Sequence, residues 1–257
     1  MLRRPFVRSC AVALALLGAG APVRAQAALL DSLRPQIERA VVRGEWTAID
    51  PIIVRLRAAA RGAGARDPWT HYDLGYALHR RASALLQADK VAQAKPMLEE
   101  AEQALATSQT LGGGGAATAL RGAVTGQLAG TGGMMAGMRQ GPRSFRLLDE
   151  AVKQSPNDPL VALLNGLTRL NAPAAFGGGA NKAEPELRRA VTLFATHRAA
   201  PPGPVWGRVD ALIWHAIALE QQGKRNEARI ELTQALGLAP GHVWITRELL
   251  PRLDAAR

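Results

Sequence analysis

The 257-residue sequence contains a single cysteine, Cys10. An intramolecular disulfide framework and every multi-cysteine metal site are thereby excluded. Aromatic residues make up only 4% of the chain, and they are not interleaved with cations as base-stacking platforms are. Charged residues reach 21% against 47% apolar, so the chain is too apolar and too weakly charged to remain disordered. No segment of useful length alternates with period two, and no strands are expected. Enzyme signatures are missing as well: HExxH, GxSxG, a GxGxxG turn and a P-loop do not occur. His71, His79, His197, His215 and His242 are never paired at the three- or four-residue spacing of a helical zinc site. The paired acids Glu99-Glu100 and Asp149-Glu150 fall on amphipathic helical patterns, where a solvated face accounts for them. No catalytic residue, cofactor or metal is therefore expected.

Residues 1–25 have the layout of a secretory signal. Arg3, Arg4 and Arg8 are followed by the apolar run 11–21 and by Val23-Arg24-Ala25, with cleavage expected between Ala25 and Gln26. The 11 residues of that run fall short of the roughly 20 that span a bilayer. The expected product is a domain of residues 26–257, periplasmic, not membrane-spanning and free of cysteine. The formal charge of +11 comes from 32 basic and 21 acidic residues. Removing the signal's four arginines would leave 28 basic residues against the same 21 acids. These charges are scattered, with no block of five, and no nucleic-acid partner is expected.

The rest of the chain repeats a helix-hairpin pattern. In 209–240, Ala216 and Leu219 lie three apart, and Gly223 interrupts where a helix would end. Ala228, Leu232 and Ala235 then recur at i, i+4 and i+7 on one face before Pro240 stops the helix. Weaker copies lie upstream. Leu74-Gly75 precedes Ala94, Leu98 and Ala101; a helix within 117–130 precedes Ser144, Leu148, Ala151 and Pro156. Gly166 precedes Ala183, Leu187 and Ala190, and at the front a turn with Gly44 and Trp46 precedes Ile49, Ile53 and Leu56. Five hairpins are predicted, near 29–66, 67–108, 114–156, 158–196 and 205–241. A last helix over 245–253 would cover the exposed side of the final hairpin.

This spacing resembles the tetratricopeptide repeat, a helix–turn–helix unit of about 34 residues. Ala216, Ala228 and Ala235 match its small positions and Pro240 its closing proline; Leu212 and Leu219 stand where tryptophan and tyrosine are usual. The resemblance implies an all-α, right-handed superhelix, or solenoid, of about five hairpins with a C-terminal capping helix, and a function on its concave surface. It places Trp69, Tyr72, Tyr76, His79 and Arg80 of the second hairpin on that surface, with Asn171 of the fourth and Glu220 and Gln221 of the fifth. Aromatic anchors beside an arginine suit a peptide or an acidic terminus. Packing between hairpins remains the alternative for Trp69 and Tyr72. The implied function is a non-catalytic, exported scaffold holding a protein or peptide partner. Replacing Tyr76 and Arg80 by alanine is then expected to weaken capture with little change in melting.

Three stretches depart from a plain repeat. The four glycines of 111–117 are expected to form a connector outside any helix. The stretch 130–144 carries Met134, Met135 and Met138. Three thioethers suit Cu(I), but gap-filling under a loop is the favoured reading. The loop 171–184 contains Pro173, Gly177 and Gly178, with Phe176 as its expected anchor. It is similar to a loop of exported bacterial members of the repeat family, including periplasmic partners of solute transporters. That likeness implies the alternative function, a small-ligand-binding periplasmic accessory protein of a transport system.

Overall fold

The computed structural model describes residues 20–198 and 201–255. Among them there are helices and no strand. Residues 1–19, with the basic start and most of the apolar run of the expected signal, lie outside the described residues. Helix α1 (Gly20–Arg43) passes through the expected cleavage point. Gln26 on it is buried and its Nε2 donates to Thr70 Oγ1 at 2.6 Å.

The remaining elements pair as hairpins. α1 is followed by a 3-10 turn (Trp46–Ile49) and α2 (Asp50–Arg61). The second pair is α3 (Pro68–Gln87) and α4 (Val91–Thr110). The third is α5 (Gly114–Thr131) and α6 (Gly133–Gln154). The fourth is α7 (Pro159–Asn171) and α8 (Ala180–Thr196), and the fifth is α9 (Arg208–Gln221) and α10 (Arg225–Leu238). A π-turn (Ile245–Leu249) leads into α11 (Leu250–Ala255), and Ile245, Leu249 and Leu253 are buried at this end of the solenoid. The described residues form an all-α solenoid of five hairpins with a terminal helix, as the repeat pattern predicts.

Local chemistry explains the starts and seams. Asp67 and Asp158 cap α3 and α7: Thr70 N donates to Asp67 Oδ2 at 2.9 Å, and Leu160 N to Asp158 Oδ1 at 2.8 Å. Pro68 and Pro159 follow at the first helical position, where no N–H is needed. The small–large–small ladders of the second helices are buried throughout: Ala94, Leu98 and Ala101; Ser144, Leu148 and Ala151; Ala183, Leu187 and Ala190; Ala228, Leu232 and Ala235. Small residues on the preceding helices let these faces approach. A Cβ on Gly75 would lie 2.5 Å from Leu105 Cγ, and one on Gly166 2.6 Å from Leu187 Cγ. The helices are therefore as close as a missing side chain permits.

Two expectations are corrected. The glycines of 111–117 are not all connector, because α5 starts at Gly114. A Cβ on Gly115 would strike Ser155 Oγ at 2.5 Å, so glycine is needed there for close helix approach. The stretch 130–144 is helical except at Gly132. Met134, Met135 and Met138 fill no gap: they are 82%, 78% and 61% exposed. On the side of α6 that meets α5 stands Gly137 instead; a Cβ there would lie 3.9 Å from the Ala129 carbonyl.

Candidate functional site

The face of α3 that the repeat pattern assigns to a partner is turned into the protein. Tyr72, Tyr76 and His79 are buried, and Arg80 is nearly so. The segment 201–207, ahead of α9, lies over them. Trp206 stacks on Tyr76 with ring centroids 4.4 Å apart and donates from Nε1 to the Tyr72 hydroxyl at 3.0 Å. Gly207 lets the chain enter: its φ is +106°, and a Cβ there would meet Leu160 and Phe194, each at 2.7 Å.

Arg80 then reaches α9 and donates to both carboxylate oxygens of Asp210, at 2.7 and 2.8 Å. It also donates from Nε to the Tyr76 hydroxyl at 2.9 Å, and that hydroxyl donates to Glu38 Oε1 on α1 at 2.6 Å. One network thus ties the first, second and fifth hairpins. Burial raises the Tyr72 and Tyr76 hydroxyls well above their ordinary range. Burial also raises Glu38, against the opposing pull of Arg80. Burial acts against the charge on Arg80, but Asp210, then Tyr76 and Glu38, outweigh it and hold the guanidinium well above its ordinary value.

Two further groups join this interior. Arg34 Nε donates to Asp73 Oδ2 at 2.7 Å, while its other nitrogens donate to the Pro202 and Gly203 carbonyls at 2.7 and 3.2 Å. Burial pushes Asp73 up to about 7, with Arg34 opposing. His79 Nδ1 donates to Gln127 Oε1 on α5 at 2.8 Å, and Gln127 Nε2 donates to Ser83 Oγ at 2.9 Å. Burial, then the Arg80 charge, lowers His79 to about 4. The imidazole is neutral at neutral pH and acts as a hydrogen-bonded spacer.

An open groove lined by these side chains is therefore not what forms. Their buried position corrects that expectation, and the reason is that the fifth hairpin folds back with its own aromatic ring and carboxylate. Trp69 is half-buried, edge-on to Tyr72 at 5.9 Å. The other proposed contacts lie elsewhere. Glu220 pairs with Arg252 of α11, Gln221 is exposed beside it, and Asn171 Nδ2 donates to the Leu167 carbonyl at 2.8 Å. In the 171–184 loop, Gly178 N donates to the Pro173 carbonyl at 3.2 Å and Gly179 N to the Arg169 carbonyl at 2.8 Å. Its short 3-10 turn leaves Gly177 and Phe176 outside, and Phe176 is 56% exposed, so it does not anchor the loop. Glu38, Arg34, Asp73 and Trp206 are functional-looking members of the network that the repeat pattern does not single out, whereas Asp210 falls at a position of the fifth hairpin that the pattern turns toward the concave surface. The trace they leave in the sequence is Arg34 and Glu38 four apart within the apolar run of α1.

The open apolar surface is at the edge of the solenoid. A cavity of about 530 Å³ lies where the start of α4 meets the α5–α6 turn. Leu128, Ala136, Met135 and Met138 supply apolar walls, and Lys95, Arg139, Glu99 and Gln140 the polar ones. Its size falls within the roughly 300–1,000 Å³ of small-molecule sites. Among the described residues no group of three His, Cys, Asp or Glu is placed to hold a metal, and no helix is long and apolar enough to cross a membrane.

No protein-family model matches the chain. No curated protein matches it either. Among solved structures it is similar to the HusA haemophore from Porphyromonas gingivalis. That match has 25% identity and a TM-score of 0.54, and covers 79% of this chain and 93% of the haemophore. It is also similar to a thermophilic TPR protein of Thermus thermophilus, at 18% identity and a TM-score of 0.53, covering 88% of this chain and 97% of that one.

Proposed function

Taking as premise that the chain has a tetratricopeptide-repeat-like fold and is a helical repeat scaffold for binding, we propose that it is an exported, non-catalytic protein that captures a small apolar ligand at the edge cavity. The proposed ligand class is a planar tetrapyrrole with acidic side groups. The observation that carries this reading is the roughly 530 Å³ cavity with apolar walls and Lys95 and Arg139 at its margin. A flat macrocycle would cover Leu128, Ala136 and the methionine side chains, and its carboxylates would face the two cations. The likeness to a haemophore supports the same class. A protein or peptide partner in the concave interior is the rival, and it requires Trp206 to leave Tyr76.

The test is titration of the purified protein with hemin and with metal-free protoporphyrin, followed in the Soret band. Saturable binding near equimolar ratio is expected, lost on Ala136→Glu, which places a carboxylate in the cavity, and kept on Asn171→Ala. Absence of saturation, or indifference to Ala136→Glu, would reject the cavity. Export is tested by sequencing the N-terminus of protein from a periplasmic extract, which is expected to begin at Gln26.

A further inference from the structure

The start of α6 presents three sulfur atoms that packing does not use. Met134, Met135 and Met138 are three of the chain's five methionines. Met97 packs against the hydrophobic core, as methionine commonly does, whereas these three are each more than half exposed. At about 100° per residue, their spacing puts all three within an arc of roughly 100° on one helix face. Positions three and four apart have Cβ atoms about 5–6 Å from each other. The side chain has three rotatable bonds, so the thioethers can turn onto one point.

We infer that Met134, Met135 and Met138 form a binding site for a soft monovalent cation, Cu(I). Thioethers are neutral, soft ligands and select Cu(I) over harder divalent ions. The charged neighbours favour the same choice. Lys95, Arg139 and Glu99 line the adjoining cavity, with Glu99 paired to Lys95 at 4.0 Å, and the net positive charge left over opposes a divalent cation more strongly than a monovalent one. Hard ions would need carboxylate or imidazole ligands in a group, and none is placed among the described residues. The inference goes beyond tetrapyrrole capture and does not depend on it.

The experiment uses the purified full chain and two probes. Ag(I), which is inert to redox change, is titrated by calorimetry. Cu(I), kept reduced by excess ascorbate, is competed against a chromophoric Cu(I) chelator. One equivalent of each is expected to bind, with shifts confined to three methionine ε-methyl signals. The variant carrying Met134→Leu, Met135→Leu and Met138→Leu is expected to bind at least tenfold more weakly with an unchanged melting curve. Failure of the parent chain to bind either ion stoichiometrically would overturn the site. So would undiminished affinity in the leucine variant, because the ligands would then lie elsewhere.

Discussion

The inner face of α3 and the outer start of α6 exchange the roles that composition suggests. Tyr72, Tyr76 and Arg80 have the chemistry of a recognition surface, yet they are buried under Trp206 and paired with Asp210. Met134, Met135 and Met138 have the chemistry of core filler, yet they face solvent. The difference comes from what arrives opposite each face. A long-range return of the fifth hairpin covers α3, whereas at the start of α6 the side that meets α5 carries Gly137. Side-chain type alone does not tell surface from interior in a solenoid; the curvature that brings distant hairpins together decides it.

The strongest way to break this contrast is to remove the covering groups. Trp206→Ala empties a buried ring site and is expected to cost about 3–5 kcal/mol of stability. Arg80→Ala leaves Asp210 and Glu38 without their cation and is expected to cost a similar 3–5 kcal/mol. Urea unfolding followed by circular dichroism measures both. Little change in the midpoint would mean that the interior is open in solution and that the α3 side chains are free to hold a partner.

Much of the fold is legible in the sequence because hairpins are local. The ladder Ala183, Leu187 and Ala190 with Gly166 specifies one seam within about 25 residues, and the structure buries all three ladder positions. Gly223, expected to end a helix, has φ +79° in the α9–α10 turn. The interior network is not legible in this way. Arg80 and Asp210 are 130 residues apart, and Tyr72 and Trp206 are 134 apart. The repeat register turns Arg80 and Asp210 toward the same concave surface, but nothing local marks Arg80 as an ion-paired strut. The exposed methionines escape sequence reading for a related reason: a glycine-rich stretch signals a loop, but helix propensity is a weak prior and the chain continues helical through it.

Titration sharpens the contrast next, because among the described residues the interior carries strongly shifted groups with opposite pH dependence. His79 is lowered to about 4 in the folded protein, against about 6.5 when unfolded. Its contribution is complete above that upper value and is lost as pH falls toward the lower one, about 3 kcal/mol in all. Asp73, raised to about 7, acts in reverse: its contribution is complete below its ordinary value near 4 and is lost as pH rises toward 7. His79→Gln is therefore expected to become more stable relative to the parent as pH drops from about 7 to 4.5. Asp73→Asn is expected to show the opposite trend. Parallel curves for both variants would show that these groups are hydrated.

Glycine-to-alanine changes carry the comparison to smaller effects. Gly166→Ala would press a Cβ against Leu187 Cγ, 2.6 Å away on the facing helix, and is expected to destabilise by about 1–3 kcal/mol. Gly237→Ala, on α10 with no atom within 4 Å of its Cβ position, is expected to stabilise by about 0.4–1 kcal/mol by restricting the unfolded chain. Thermal melting of the two single variants checks the sign. A shift of the same sign at both places would remove the distinction between a packed seam and a free helix face.

The smallest expected change falls on the methionines themselves. Exposed side chains away from packing, caps or networks usually alter stability by less than about 0.5 kcal/mol when replaced. Leucine keeps the apolar volume of methionine and removes only the sulfur, so Met134→Leu with Met138→Leu is expected to change the unfolding free energy, measured in urea, by no more than that. Helix propensity agrees, as leucine and methionine rank together. The reverse exchange at buried Leu98 or Leu148 would disturb a filled ladder. A loss above about 1 kcal/mol in the Met134/Met138 variant, twice the usual surface range, would show that these side chains pack in solution, and the edge would then be an extension of the core. A near-zero change, measured beside the large losses expected at Trp206 and Arg80, would leave ligand chemistry as the property that distinguishes the methionines from the leucines replacing them.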